Sequence, residues 1–525
     1  MNLRAVTERA TALRALLNRQ LPAFAEPGRD YFLSRWLFLR FLGLIYFIAF
    51  VSLWVQIDGL VGSNGILPAR QFIDAAREQL GPGGFWRAPT LCWLNASDGF
   101  LHFLCFSGVV CAVLAMAGVA PQFAFALLWL LYLSLGTVGQ DFLSFQWDIL
   151  LLETGFLAIF FAPRAWRPGL GRETPPPRIV LWLLRWLLFR LMFLSGAVKL
   201  LSEDAAWWSL AALDFHYETQ PLPTWLGWYA HQLPSGAQKF SVFVMFIIEL
   251  GGPFLILLGR RARLVAAATF AAFMILIGLT GNYCFFNLLT IALCIPLVDD
   301  TAWRRRIPRK FASSFVAPAA APSLSLVRLS GTALLAAVVL FVSNAQMAFR
   351  LWPWEERPPQ SLLRPVRLVS PFRSINAYGL FAVMTTTRPE IIIEGSHDGV
   401  NWRAYEFKWK PGGLKSRPRF VEPHQPRLDW QMWFAALGDY RGNPWFVNLV
   451  VRLLQGSPDV LGLLEHNPFP DAPPRYIRAV LHEYHFTDSA TRRATGQWWT
   501  REPKGLYLPP ISLNPASNRD AGARP

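Results

Sequence analysis

Charge is what this chain has least of. Only 16% of its 525 residues are Asp, Glu, Lys or Arg, against roughly 25% in soluble domains, too few for the surface of an ordinary soluble protein of this length. Cysteine pairing signals are missing as well. Cys92, Cys105, Cys111, Cys284 and Cys294 show no CxxC spacing, which excludes the common zinc and dithiol motifs. Three of them fall in apolar runs and read as small buried side chains; Cys92 and Cys284 approach the same side of the chain's apolar part, so a bridge between them stays open. Catalytic motifs are also absent: there is no GxSxG, Walker loop, dinucleotide fingerprint or HExxH. His216 and Glu218 form H-x-E without the P-C-x-x-C that completes a zinc deaminase. His216, Glu218 and His231 carry metal-ligand chemistry, and His482 and His485, three apart in an expected strand, point to opposite faces. No metal and no cofactor is expected.

What is present is apolar and aromatic. Hydrophobic residues make up 53% of the chain, with 23 Trp and 41 Phe. They gather into nine runs, near 36–55, 100–118, 122–139, 143–162, 180–201, 240–259, 263–280, 284–298 and 325–345. Runs of about 20 apolar residues span a bilayer, and nine exceed what one soluble core can bury. The fold class is therefore a polytopic α-helical membrane protein of about nine transmembrane helices, the eighth run being short enough to be re-entrant. Residues 1–35, with Arg4, Arg9, Arg14 and Arg19, do not read as a cleavable signal; they suit an amphipathic surface helix or a solvated tail.

The net charge of +16 invites a nucleic-acid reading, but the arginines sit beside the apolar runs, as the positive-inside rule requires, so no nucleic acid is expected. Arg164, Arg167, Arg172 and Arg178 fall between runs four and five. Arg260, Arg261 and Arg263 fall between six and seven, and Arg304, Arg305, Arg306, Arg309 and Lys310 follow run eight. With nine spans these loops share the cytoplasmic side with the N-terminus. The Gly-, Asn-, Trp- and Asp-rich alternate loops, with the sequon at Asn95, and everything after run nine then face lumen or periplasm.

Past the membrane part, 36–345, the texture changes. A linker at 346–369 contains "WPWEERPP". Residues 370–510 read as an extracytoplasmic β-rich, sandwich-like soluble domain, and 511–525 as a disordered tail. "EIIIEGSHDGVNWRAYEFKW" predicts a hairpin turning at Asp398-Gly399; "RYIRAVLHEYHFTD" and "GQWWTREP" predict a second; 426–465 reads as helical. Trp402, Trp409, Trp430 and Trp433 suit either the core of this domain or a face for a partner.

Ionisable residues inside apolar runs must pair, snorkel or line a wet cavity. Arg40 lies in run one, Asp148 and Glu153 in run four, Arg185, Arg190 and Lys199 in run five, and Glu249 in run six. Carboxylates on run four and cations on run five are expected partners. The densest polar cluster, "LDFHYETQPLPTW", faces outward between runs five and six. Its Asp214, His216, Tyr217, Glu218, Gln220 and Trp225 suit a hinge in a client-binding surface, or a polar clasp across the outer helix ends.

"DILLLETGFLAIFFAP", "RLMFLSGAVKLLSEDAAWWSLAALDFHYETQPLPTW", "GNYCFFNLLTIALCIPLVDD" and "RPEIIIEGSHDGVNWRAYEFKWKPG" resemble the lipase maturation factor family from about residue 30 to 510. The resemblance implies a non-enzymatic, chaperone-like membrane protein of the endoplasmic reticulum that helps exported clients such as lipases to fold and assemble. Its partners would be that client and the lipid bilayer. The Arg/Ala/Leu-rich composition looks bacterial, and such a host implies the plasma membrane instead. "FLSGAVKLLSEDAAWW" is also similar to a membrane segment of vitamin K-dependent carboxylases, which implies, as the alternative, a membrane-embedded enzyme with Lys199 as base.

Overall fold

The structure is a computed structural model that describes residues 30–170, 173–305, 326–352 and 358–513. The expected N-terminal segment up to residue 29, Arg172, Arg306, Arg309, Lys310, most of "WPWEERPP" and the tail from 514 lie outside the described residues. All nine apolar runs are helices. They are α1 (Phe32–Trp54), α2 (Asp98–Ala117), α3 (Pro121–Val138), α4 (Gln146–Phe161) and α5 (Arg178–Leu201). After two short helices, α6 (Ala212–Thr219) and α7 (Trp225–His231), come α8 (Ser235–Phe246, continuing to Ile256), α9 (Arg260–Thr280), α10 (Phe286–Cys294) and α11 (Leu326–Leu351). Seven are long and apolar enough to cross a membrane, fewer than the nine expected; α4 and α10 are shorter. At 1.5 Å per residue α4 reaches only about 24 Å, short of a hydrocarbon core of about 30 Å. Both short helices are buried along most of their length, so packing, and not lipid, satisfies their side chains.

Helix ends follow local chemistry. The Asp300 carboxylate accepts from Phe32 N at 2.9 Å and Leu33 N at 3.0 Å, capping the first turn of α1 from a distant loop. Gly118 at φ 74° ends α2, and Pro121 starts α3 within the same turn. Helix α8 widens to a π turn at Ile247–Gly251 and tightens to a 3-10 turn at Gly252–Ile256. Pro253 lacks an N–H and follows two glycines, which breaks the regular ladder there. Gly155 lets Tyr46 approach α4 so closely that a Cβ would lie 1.9 Å from its hydroxyl, the small-residue contact typical of packed membrane helices.

One end of the bundle gathers the basic loops. Arg35 pairs with Glu173, Arg260 with Asp299, and Arg263 donates to Tyr31. At the other end sits the C-terminal region. Strands β1 (Pro389–Ser396), β2 (Arg403–Ala404), β5 (Tyr476–Phe486) and β6 (Trp499–Ile511) form an antiparallel sheet in the order β2-β1-β5-β6. Ile391 faces Leu481 and Ile393 faces Ala479, and alternation buries Ile391, Ile393, Ile477 and Ala479. Both expected hairpins form. At the first turn Gly399 has φ 75°, and Asp398 accepts from Val400 N and Asn401 N at 2.8 and 2.7 Å. Those bonds hold its carboxyl below the usual range.

A sandwich needs a second large sheet. Among the described residues the second sheet is only β3 (Glu406–Phe407) with β4 (Leu464–His466). Helices α12 (Arg427–Ala436) and α13 (Pro444–Leu454) pack against β1 and β5 in its place. The expected linker is partly helical, since α11 runs to Leu351 and a further helix covers Gln360–Val369. One continuous core joins bundle and sheet: Phe142, Trp147 and Leu151 belong to the same buried cluster as Ile393, Trp430 and Phe446.

Candidate functional site

The seam between bundle and C-terminal region gathers several buried charges. Glu153 of α4 pairs with Arg190 of α5, as the spacing of the runs suggested. Its other oxygen accepts from Asn376 N at 2.9 Å and Tyr378 Oη at 2.7 Å, while Arg190 donates to Asn376 O at 2.8 Å. Asp148 departs from the expected pairing. Its partner is Arg427 at the start of α12, two bonds at 2.9 and 3.0 Å, with Tyr132 Oη donating at 2.5 Å. Lys199 also looks elsewhere, to Glu249 in the π turn at 2.6 Å. Arg185 donates to Pro296 O at 3.1 and 3.2 Å, and Arg40 stacks on Trp36 at 4.0 Å. Run-four carboxylates therefore fasten the C-terminal region, because fully desolvated carboxylates need several donors at once.

The segment from Leu213 to Trp225 is the other half of this fastening. Residues 212–219 form α6, and Thr224 caps α7 through its hydroxyl at 3.0 Å from Gly227 N. Arg388, fully buried before β1, donates to the carbonyls of Glu218, Gln220 and Pro221 and pairs with Glu390. Burial lowers its pKa and Glu390 opposes that. Glu218 accepts from Phe486 N at 2.8 Å and meets His485 at 3.2 Å. Gln220 bridges Thr280 O and the Tyr283 hydroxyl, at 2.8 Å each. His216 meets the same hydroxyl at 3.0 Å. Burial, then the nearby Lys199 charge, push His216 down to about 4, so its ring is neutral near pH 7. Asp214 accepts from Ser235 Oγ at 2.9 Å, and Trp225 lies under Arg417 at 4.7 Å. Tyr217 packs beside Trp228 and Trp499. His216 and Glu218 thus face different neighbours, and among the described residues no group of three ligand side chains could hold a metal. All five cysteines are buried free thiols.

Above the bundle, against this seam, opens an aromatic cleft of about 760 Å³. Trp147 at the α4 start, Tyr283, Phe381, and Trp430, Trp433 and Phe434 of α12 form its walls. Trp430 and Trp433 are largely buried, yet Phe434, Leu437 and Val383 on the rim are 43, 46 and 64% exposed. Trp402 and Trp409 lie outside the cleft; Arg478 covers the first at 4.2 Å and Arg419 the second at 6.0 Å. Phe381 holds φ 53°, a left-handed value that a bulky residue keeps only under surrounding constraint. The chain positions of Arg388, Arg427, Asn376, Tyr378 and Phe381 carried no signal of their own. An arginine in an otherwise strand-forming or aromatic stretch, as in "RPEIII" and "PRLDW", is the one local feature that could have marked a buried cation.

Among the described residues, seven membrane-length helices with a sheet region fastened to one end define a multi-pass membrane protein with an extramembrane β-rich part. The family model for the Lipase maturation factor transmembrane domain matches residues 33–305, and that for the Lipase maturation factor C-terminal domain matches 374–509. Lipase maturation factor 2 of Gallus gallus is 38% identical over 93% of this chain and 82% of its own length. The Homo sapiens Lipase maturation factor 2 is 37% identical, covering 92% and 83%. Lipase maturation factor 1 of Bos taurus is 35% identical, covering 94% and 91%. The chain belongs to the lipase maturation factor family. No solved structure matches it.

Proposed function

We propose that the chain is a maturation factor whose aromatic cleft holds an apolar segment of an exported client, a lipase by the names of its relatives, while that client folds beside the bilayer. The observation that carries this reading is the cleft itself: a wide aromatic recess with exposed Phe434, Leu437 and Val383, outside the helices and against the domain seam. Rigid aromatic walls offer large contact area with little side-chain entropy to lose. The role is non-enzymatic, with Lys199 no catalytic base, the Asp148 and Glu153 pairs as fasteners and the Leu213–Trp225 segment as a clasp. The basic end faces the cytosol and the cleft the lumen of the endoplasmic reticulum, or the periplasm in a bacterial host. The division into an N-terminal segment, a membrane part to 345, a linker and an outward domain at 370–510 belongs to the same proposal.

A photo-crosslinking residue at position 434 tests it in the native membrane. Crosslinks to a newly made lipase are expected, and Leu437→Ser with Val383→Ser beside the crosslinker should lower them; the triple change Phe434→Ser, Leu437→Ser, Val383→Ser should lower the yield of active lipase roughly five- to tenfold. Unchanged yield from a normally folded triple variant would sink the reading.

A further inference from the structure

A second internal space lies below the cleft, among the helices. It measures about 180 Å³ and is bounded by α5, α6, α8, α9 and α10. Tyr283, Leu380 and Phe381 line both spaces, so this thin wall separates an outward cleft from a cavity inside the bundle. Apolar side chains dominate: Leu191, Met192, Met245, Phe273, Met274 and Ile277. Cavities of about 150 Å³ already hold a benzene-sized guest, so the space accepts a small head or several methylenes.

Three observations fix the chemistry of a guest. First, the cavity opens sideways. Ser241 of α8 and Leu276 of α9 line it and are exposed on the outside of the bundle, next to Phe243, Ile247 and Ile275, each at least 50% exposed. In a membrane that flank faces acyl chains, not water. Second, the charged groups are few and matched. Lys199 and Glu249 pair at 2.6 Å, so the site as a whole is neutral, and an ammonium has three donors of which Glu249 takes one. Third, an acceptor is left over. Asn287 is 3% exposed and lines the cavity, and its Oδ1 has no hydrogen-bond partner among the described residues. A buried acceptor without a donor carries an uncompensated desolvation cost. A π turn, which carries Glu249 here, is a local irregularity often kept at functional sites.

We infer that this cavity binds an uncharged single-chain lipid of the monoacylglycerol type. A head hydroxyl donates to Asn287 Oδ1, a head oxygen accepts from Lys199, and the chain leaves between α8 and α9 into the bilayer. An anionic head would unbalance the Lys199–Glu249 pair, and a zwitterionic phospholipid head exceeds the space. The inference does not rest on the client reading, since the cavity and the cleft rim are separate surfaces.

The test uses the full chain in phosphatidylcholine nanodiscs with monooleoylglycerol that carries a diazirine in its chain. Labelling is expected on α8 and α9 peptides around Met245 and Phe273–Ile277, and tenfold excess unlabelled monooleoylglycerol should suppress it at least fivefold. The same excess of oleate or lysophosphatidylcholine should leave it within twofold. Ile277→Trp, which fills the space, should lower labelling at least fivefold, and Asn287→Leu should lower it similarly. Client crosslinking at position 434, measured in the same preparations, should stay unchanged for Ile277→Trp. Labelling spread over the lipid-facing helices, equal competition by all three lipids, or preference for oleate would each overturn the inference. The competition arms need only the wild-type chain, so a misfolded variant leaves the outcome decisive.

Discussion

The two halves of the helical bundle are held in different ways. In the first, 56, 39, 61 and 78% of the most apolar window of α1, α2, α3 and α5 is buried; in the second, α8, α9 and α11 reach only 28, 22 and 22%. The first half has an interlocked aromatic interior, with Tyr46 in ring contact with Phe50, Phe125 and Tyr132, and Phe50 with Tyr132. It also carries the carboxylates Asp148 and Glu153 that fasten the C-terminal region. The second half leans on α5 and leaves a cavity at the contact, with one ion pair beside it. Similar hydropathy thus supports two kinds of structure. One is a rigid post under the sheet region, and the other a looser flank that encloses a cavity.

The contrast is sharpest where a single change strands a charge in the packed half. Arg427→Met leaves Asp148 buried and unpaired, and should cost about 3–5 kcal/mol, seen as a large fall in Tm and as new protease cleavage after residue 358. The double change Asp148→Leu with Arg427→Met should recover most of that loss, and failure to recover would mean the pair is not what fastens α12. Next in size, Arg388→Met removes the donors to Glu218, Gln220 and Pro221. It should cost about 2–4 kcal/mol and raise hydrogen exchange over residues 213–225 ahead of the rest of the chain.

A pH effect of middle size belongs to the contact between the C-terminal region and the looser flank. Glu422 accepts from Tyr283 N and Asn287 Nδ2, and burial pushes its carboxyl up to about 8. A raised pKa means the folded state holds the proton more tightly than the unfolded state does. The contribution is therefore present in full below about 4.5 and is lost as pH rises through about 8. Tm should fall over that window by an amount equivalent to about 1–2 kcal/mol, given that the group is part-exposed; Glu422→Gln should flatten the slope.

Lys199→Met combined with Glu249→Gln should change stability by less than about 1 kcal/mol, because no charge is left unpaired and the flank is loosely packed. A loss as large as that of Arg427→Met would erase the distinction between the halves. Smallest of all, Trp402→Ala at the half-buried sheet surface should cost about 0.5 kcal/mol in a chemical melt.

Much of the framework is legible one residue at a time. Length and apolarity mark all nine helices, and Asp398-Gly399 marks the first hairpin, because those signals are local. Two expectations went further than local signals allow. Hydropathy equates α4 with its neighbours, yet α4 is too short to match a bilayer and is buried inside protein. Strand alternation suggested a facing sheet, whereas α12 and α13 cover the face, since any apolar layer of suitable shape will serve. The candidate residues show the same limit. The run-four carboxylates stand out as costly in lipid, but nothing near them in the chain announces a partner in the C-terminal region.

By itself, then, the sequence determined that this is a membrane chain, where it turns helical and where its basic loops lie, because transfer from water is a property of each short segment. Only the tertiary structure decided that Asp148 meets Arg427 across 279 residues, that the Leu213–Trp225 segment clasps Arg388, and that space remains beside Lys199. Pairing and cavity depend on which surfaces pack together, and packing geometry is a property of the whole chain.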